Sequence, residues 1–267
     1  MNTSQPIAAD TGLEVHSIAN NKDFARRKLH DRDIFTQMEG MQRIARAFIE
    51  SPENILRELV NAAVELCGAD SAGVSIEKEN GTDSEFYHWI ATAGEYSGFL
   101  DAILPRYPSA CGICLERGDV QHFRVHQEFF DVLGVEAPLV TDGLLLPWHV
   151  DEVRGTIFVM AHNRTEAFDQ NDCNMMKVLA DFAAAGFKQQ SQQKQLLQRV
   201  RSAAAASMAN DLAHKINNPL QGLTNILYLA AEGHNGEEAR PVGQMAMADL
   251  NKLSSLVGKL LEIPLDK

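Results

Sequence analysis

The chain has no hydrophobic run long enough to cross a bilayer. Its longest apolar stretches, residues 144–146 and 156–161, fall far short of the roughly 20 residues that a membrane helix needs. The opening Met1-Asn2-Thr3-Ser4-Gln5-Pro6 has neither a basic start nor an apolar core, so no secretory signal is expected. Positive charge is scarce: 24 Lys and Arg stand against 36 Asp and Glu, a formal net charge of −12. A nucleic-acid partner, which calls for a basic face, is therefore not expected. These absences predict a chain with no membrane partner and a cytoplasmic location, where its few thiols stay reduced. What is present is apolar content of 45% in 267 residues. That is enough for one sizeable packed domain with a helical appendage, and it excludes disorder throughout.

Residues 1–33 are polar and unperiodic, with Asn20-Asn21-Lys22-Asp23 and Arg26-Arg27-Lys28, and are expected to form a mobile or loosely docked tail. From Ile34 a helical pattern begins: Phe35, Met38, Met41, Ile44, Phe48. Ser51-Pro52 then supplies a cap and a first-turn proline for a helix burying Ile55, Leu59, Ala62, Ala63 and Leu66, which ends at Gly68. Residues 72–77 alternate as a half-buried strand, Asn80-Gly81 marks a turn, and residues 86–91 supply the partner strand. The middle, through Pro105, Pro108, Gly112 and Gly118, is loop-rich. Two more strands, 142–148 and 155–161, flank a tight turn. After Phe168-Asp169 a helix runs through Met175, Leu179, Phe182 and Phe187.

Cys111-Gly112-Ile113-Cys114 has the spacing of a redox pair or half of a metal site, and His122 and His126 follow at distances that would complete a tetrahedral set. The same cysteines also suit a turn into a strand, buried as small apolar residues; Cys67 and Cys173, within helical patterns, read as core. His88, His149 and His162 join His122 and His126 as scattered imidazoles that would equally serve as surface or hydrogen-bonded groups.

The order helix, hairpin, variable middle, hairpin, helix over residues 34–190, closing on Phe168-Asp169-x-x-Asp172, resembles a GAF domain. The resemblance implies helices on one face of an antiparallel sheet and, often, a small ligand on the other. The cysteine–histidine pair of bilin-binding members is absent, as is the Asn-Lys…Phe…Asp-Glu signature of the cyclic-nucleotide type. The implied cofactor is thus an unidentified small molecule in the GAF pocket, with none otherwise expected.

The most informative stretch is Leu212-Ala213-His214-Lys215-Ile216-Asn217-Asn218-Pro219-Leu220. Met208, Leu212, Ile216, Leu220, Leu223 and Leu227 are spaced as one buried stripe of a helix. His214 lies about 200° round from Leu212, so it points away from that stripe. Pro219 has no N–H to give the carbonyl of Lys215 and loosens the helix beside the histidine. Residues 207–267 resemble the dimerisation and phosphoacceptor hairpin of sensor histidine kinases, whose H-box reads His-Glu-Ile-Asn-Asn-Pro-Leu. Six of seven positions match, and 247–261 resembles the second helix, with the loop near Gly233-His234-Asn235-Gly236 and Pro241 early in that helix. The resemblance implies two chains paired as a four-helix bundle, His214 as the phosphoacceptor, and Asn218, one turn further on, as a group that orients water for dephosphorylation.

Two departures qualify it. Lys215 stands where the family has the acidic residue that helps take the imidazole proton, and an ammonium favours the neutral ring. No G-x-x-x-x-G-K-[ST] or D-x-G-x-G motif is found, so the ATP domain is expected in trans.

Between the two parts, residues 191–206 are rich in helix formers, with Leu196, Val200 and Ala203 on a seam spaced near 3.5, as in a parallel coiled coil. The expectation is an α+β chain: a GAF-like antiparallel sheet with flanking helices, then a long helical hairpin forming a dimeric four-helix bundle. It would act in two-component signalling as a homodimer, exchanging a phosphoryl group with a partner kinase's ATP domain or a response regulator. A non-enzymatic scaffold or decoy, with Lys215 marking lost phosphotransfer, is the alternative. Whether the chain is an enzyme stays open at this stage.

Overall fold

The computed structural model describes residues 11–78, 82, 85–231 and 239–261, and divides into two units between Gln193 and Lys194. In chain order the first unit comprises β1 (Leu13–Ser17), α1 (Lys22–Ala25), α2 (Ile34–Glu50), α3 (Ile55–Cys67), β2 (Ser71–Glu77), β3 (Tyr87–Gly94), β4 (Ile103–Leu104), α4 (Ala110–Arg117), β5 (Gln121–Val125), α5 (Gln127–Leu133), β6 (Val140–Val150), β7 (Val153–Ala161) and the start of α6 (Gln170–Ala231). The strands form one antiparallel sheet in the order β1-β5-β6-β7-β2-β3-β4.

Period-2 alternation divides this sheet into two apolar faces. Leu144, Leu146, Ile157 and Val159 join α3 and α6 through Leu59, Ala63, Met176 and Leu179 in the larger core. Their neighbours Leu145, Phe158 and Met160 point the other way, to Phe123, Phe129 and Phe130. Both faces are therefore buried, which is why β6 and β7 carry near-continuous apolar runs.

Local signals set the helix ends. Asp33 caps α2 by accepting from Phe35 N and Thr36 N at 3.4 and 3.0 Å, and Gly68, at φ 56°, terminates α3 in the left-handed conformation. The expected turn at Asn80-Gly81 lies outside the described residues, but β2 and β3 do pair antiparallel.

Two expectations are corrected. The segment read as a polar tail is built into the sheet from residue 11 onward: β1 pairs with β5, Leu13 opposite Val125 and Val15 opposite Phe123, and Phe24 is 2% exposed. Its polarity misled because its charges are satisfied internally. Arg27 is bound by the buried Asp142 at 2.7 and 3.0 Å, and Arg32 bonds Asp172 at 3.1 Å. The second correction concerns 108–118, where the expected entry to a strand is the helix α4. Ser109 caps it by accepting from Gly112 N at 3.3 Å, and Gly118, at φ 65°, ends it.

Helix α6 continues without a break through the glutamine-rich 188–195 and past Pro219. Before the second unit, Gln189 and Gln190 donate to Phe48 O and Glu53 O at 2.8 and 2.9 Å, so these glutamines anchor the helix to the ends of α2 and its following turn. The second unit holds the rest of α6 and α7 (Ala239–Leu261). Along α6, Leu212, Ile216, Pro219, Leu223 and Ile226 are half-buried or buried, at spacings of three and four. Along α7 the matching set is Ala246, Asp249, Leu253 and Leu256. The Asp249 carboxylate sits against Gly222, where a side chain would collide with it. The predicted stripe shifts accordingly: Met208 and Leu220 are exposed at 59% and 45%, and Pro219 and Ile226 take the covered positions. The expected loop at 233–236 lies outside the described residues, as does the side chain of Leu227. Among the described residues no helix is long and apolar enough to cross a membrane.

Candidate functional site

The second face of the sheet does not close completely. Between it and α4 and α5 lies a cavity of about 170 Å³. Its walls come from Trp89 of β3, Tyr96 and Phe99 of the turn that follows, Phe123 of β5, Phe129 of α5 and Phe158 of β7. Trp89 and Phe158 pack with centroids 4.8 Å apart, and Tyr96 lies 5.0 Å from Phe99. Leu13 of β1 completes one side, so the segment expected to be a tail forms part of the wall.

The hydroxyl and thiol groups at the cavity are bonded within the protein. The Tyr96 hydroxyl donates to Pro138 O at 2.6 Å, and burial pushes its pKa up. The Ser75 and Thr156 hydroxyls bond each other at 2.7 Å and lie 3.6 and 3.3 Å from Cys111 Sγ. Burial raises the Cys111 thiol despite those hydrogen bonds, so it stays protonated at neutral pH and is a poor nucleophile.

Over half of the chain, residues 51–187, matches the family model of the GAF domain. The chain belongs to the GAF family. The GAF unit is a signal-sensing domain, and the cavity lies on the sheet face opposite α3 and α6. Among solved structures, it is similar to free methionine-R-sulfoxide reductase from Neisseria meningitidis in complex with its substrate, at 15% identity over 63% of this chain and 99% of that one, with a TM-score of 0.47. It is also similar to the second GAF domain of DevS from Mycobacterium smegmatis, at 21% identity over 55% and 99%, TM-score 0.42. A third is the phycoerythrobilin-bound GAF domain of a cyanobacterial phytochrome, at 15% over 60% and 98%, TM-score 0.43. No curated protein matches the chain.

The structure does not assemble the suggested metal set. Cys111 faces the cavity, whereas Cys114 Sγ donates to Asp119 O and Leu145 O, both at 3.6 Å, and burial raises its pKa too. His122 Nε2 is bonded to Asp142, and His126 reaches Glu14 at 3.1 Å on the surface. Cys111 and Cys114 are one turn apart on α4, and neither histidine joins them. The remaining imidazoles are likewise placed by protein partners or solvent. His162 donates from Nδ1 to Leu139 O at 2.8 Å and accepts from Ser71 at 2.7 Å, His88 meets Asp101 at 3.0 Å, and His149 is exposed.

Among the described residues one group has metal-ligand proximity, His30 with Asp169 and Asp172. Its carboxylates already have work: Asp169 accepts from Asn171 N and Asp172 N at 2.6 and 3.1 Å at the start of α6, and Asp172 holds Arg32. This is a helix cap with an arginine clamp.

In the second unit His214 is exposed on α6, as is Asn218 one turn along, and Pro219, directly after Asn218, is buried. Lys215 bonds Asp211 at 2.6 Å, with both side chains more than half exposed. A shallow groove beside this site is lined by Lys215, Asn218 and Pro219 of α6 and by Asp249, Lys252, Ser255 and Leu256 of α7. The sequence singles out His214 and its neighbours and the strands that carry Trp89 and Phe158, but not the outer wall of the cavity, which α4, α5 and β1 form. The alternation Leu13-Glu14-Val15-His16 was the available signal for β1.

Proposed function

We propose that the chain is a cytoplasmic two-component signalling protein in which the GAF sensor is coupled, through α6, to His214 as the acceptor or relay of a phosphoryl group. The observation that carries this is the exposure of His214 on a continuous helix that leaves the sensor, beside Asn218 and a buried helix-interior proline. A phosphoacceptor must present an imidazole to another protein, and a histidine serving only the core would be covered. In this reading α6 and α7 form the hairpin of a dimerisation and phosphoacceptor unit.

The apolar surface exposed on α6 and α7 supports a homodimer in this reading. On α7 Met247, Leu250 and Val257 form a second apolar seam next to the covered one, with Leu250 at 53% exposure. On α6 Leu196, Leu197, Val200, Met208 and Leu220 are likewise exposed. Two adjacent apolar seams are what a helix in a four-helix bundle needs, one for its own hairpin and one for the partner copy. Phosphoryl groups would come from the ATP domain of a kinase in trans or pass to a response-regulator aspartate. Sliding or rotation of α6 would couple the sensor to the presentation of His214.

Lys215 favours a second reading, an inactive dimeric scaffold or decoy, because it sets a cation directly after the histidine, where it pairs with Asp211. The pair itself adds little stability, about 0.3–0.5 kcal/mol for an exposed i,i+4 contact. It does keep a carboxylate within one turn of His214 on a neighbouring face, which supports the phosphoacceptor reading.

The test is phosphoryl labelling of the full chain. With radiolabelled ATP alone the protein should stay unlabelled. With a histidine-kinase ATP domain added it should acquire acid-labile label, and His214→Gln should abolish it. Strong self-labelling would refute the need for a partner kinase, and label that survives His214→Gln removes the assigned site. Lys215→Glu separates the two readings. A relay adapted to lysine labels as the natural chain and gains less than twofold from the substitution, whereas a decoy is unlabelled until glutamate is restored.

A further inference from the structure

The GAF cavity itself narrows what the sensor binds. Protein interiors leave few voids larger than a water molecule, yet about 170 Å³ lies open between the sheet, α4 and α5. A ligand pocket for a drug-sized molecule takes about 300–1,000 Å³, whereas a void near 150 Å³ lined by aliphatic and aromatic side chains holds a single benzene ring and stays dry. The volume therefore sets the ligand at about one six-membered ring with few substituents.

Chemistry points the same way. The lining contains no Asp, Glu, Lys, Arg or His among its described residues. Its hydroxyls and thiol are already bonded, Tyr96 to Pro138 O, Ser109 to Gly112 N and Cys111 to Thr156 and Ser75. An ionised carboxylate, phosphate or ammonium brought here would lose its water and meet no opposite charge. The Trp89, Tyr96, Phe99 and Phe158 rings already pack at centroid distances of 4.8–6.4 Å, which is the spacing at which a further ring adds favourable edge-to-face contacts. Trp89, a lining residue, carries a buried Nε1–H with no partner among the described residues.

We infer that the cavity receives one small, uncharged, largely apolar molecule of single-ring size. The inference rests on the first unit being the sensor, and it specifies what is sensed. Leu13 in the wall makes β1 part of the enclosure, and β1 is held to β5 along its whole length.

Isothermal titration of the full chain with toluene, and with benzoate as the same ring bearing a charge, tests it. Toluene should bind saturably with one site per chain, and benzoate at least about 100-fold more weakly. Trp89 lies in the wall and Trp148 in the opposite core, so toluene should change the emission of a Trp148→Phe chain. Ala137→Phe, at the cavity rim, should weaken toluene binding at least about tenfold. If that variant fails to fold, the natural chain's titrations decide alone. Absence of saturable toluene binding, or benzoate binding equal to toluene, overturns the inference. Calorimetry does not involve His214, so failure here leaves the labelling result intact, and failed labelling leaves the cavity's selectivity intact.

Discussion

Replacing Arg27 with methionine should lower the unfolding free energy by about 3–5 kcal/mol, the range for stripping one partner from a buried ion pair. The two side chains are 6% and 0% exposed, so solvent screening gives little relief. Asp142 accepts from Arg27 through both oxygens, from His122, and from Phe168 N at 3.2 Å. Burial alone would push its carboxyl up; the hydrogen bonds from His122 and Arg27 outweigh burial and hold it below the ordinary carboxylate range. A depressed native pKa contributes stability above the unfolded value near 3.9 that is lost as pH falls through the native one. The natural chain should therefore lose stability below about pH 4, and the Arg27→Met chain should lose less over the same window. Urea unfolding followed by tryptophan emission measures both. Adding Asp142→Asn should return part of the loss, since a neutral amide no longer needs the guanidinium. A loss under about 1 kcal/mol for Arg27→Met would show that the pair is worth no more than a surface contact. Arg27 also donates to Phe168 O at 2.7 Å, so the variant loosens the segment after β1, while β1 and Leu13 stay paired with β5.

Gly94→Ala should cost about 2–6 kcal/mol, from strain of about 1–3 and a comparable packing term. Gly94 sits at φ 74° and ψ −147°, a region that is essentially glycine's alone. A methyl group there would overlap the Asp70 carbonyl and lie 2.9 Å from Ser71 Cα, both of them backbone that cannot swing aside. The residue ends β3 opposite Ser71 and launches the turn that carries Tyr96 and Phe99 to the cavity. Gly118→Ala is the control. It has φ 65° but open space around it, so only the left-handed conformation is penalised, at about 1–2 kcal/mol. Thermal melts of the two variants should differ clearly, and equal shifts would mean that the close approach to Asp70 is relieved by backbone movement.

The elements that sequence made legible are those whose apolar period is unbroken. The helices from Ile34 and Ile55 and the first turns of α6 repeat near 3.6 residues, and β6 and β7 are near-continuous apolar runs around a tight turn. Asp33 caps the first helix and Gly68 ends the second, although the Ser51 side chain makes no capping bond. The cavity's outer wall is different. Helices α4 and α5 have eight and seven residues, too few for a period to emerge, and they lie among the glycines and prolines that suggested loops. β1 is five residues long, so its alternation of Leu13 and Val15 with polar residues spans too few positions to stand out. The polar stretch after it looked solvated because the buried carboxylates that receive Arg27 and Arg32 lie more than a hundred residues away. His214 was legible for the opposite reason, since its position on a helix face follows from spacing within two turns.

Sequence by itself therefore determined the GAF order of elements and the outward face of His214, both of which depend on residues within a few positions of one another. Only the tertiary structure decided that residues 11–33 belong to the sensor, that Cys111 and Cys114 do not meet His122 and His126, and that the sheet, α4 and α5 border a cavity without charged lining residues. Each of those outcomes turns on which side chains from distant segments share a volume, and a void is by nature the place where no residue is.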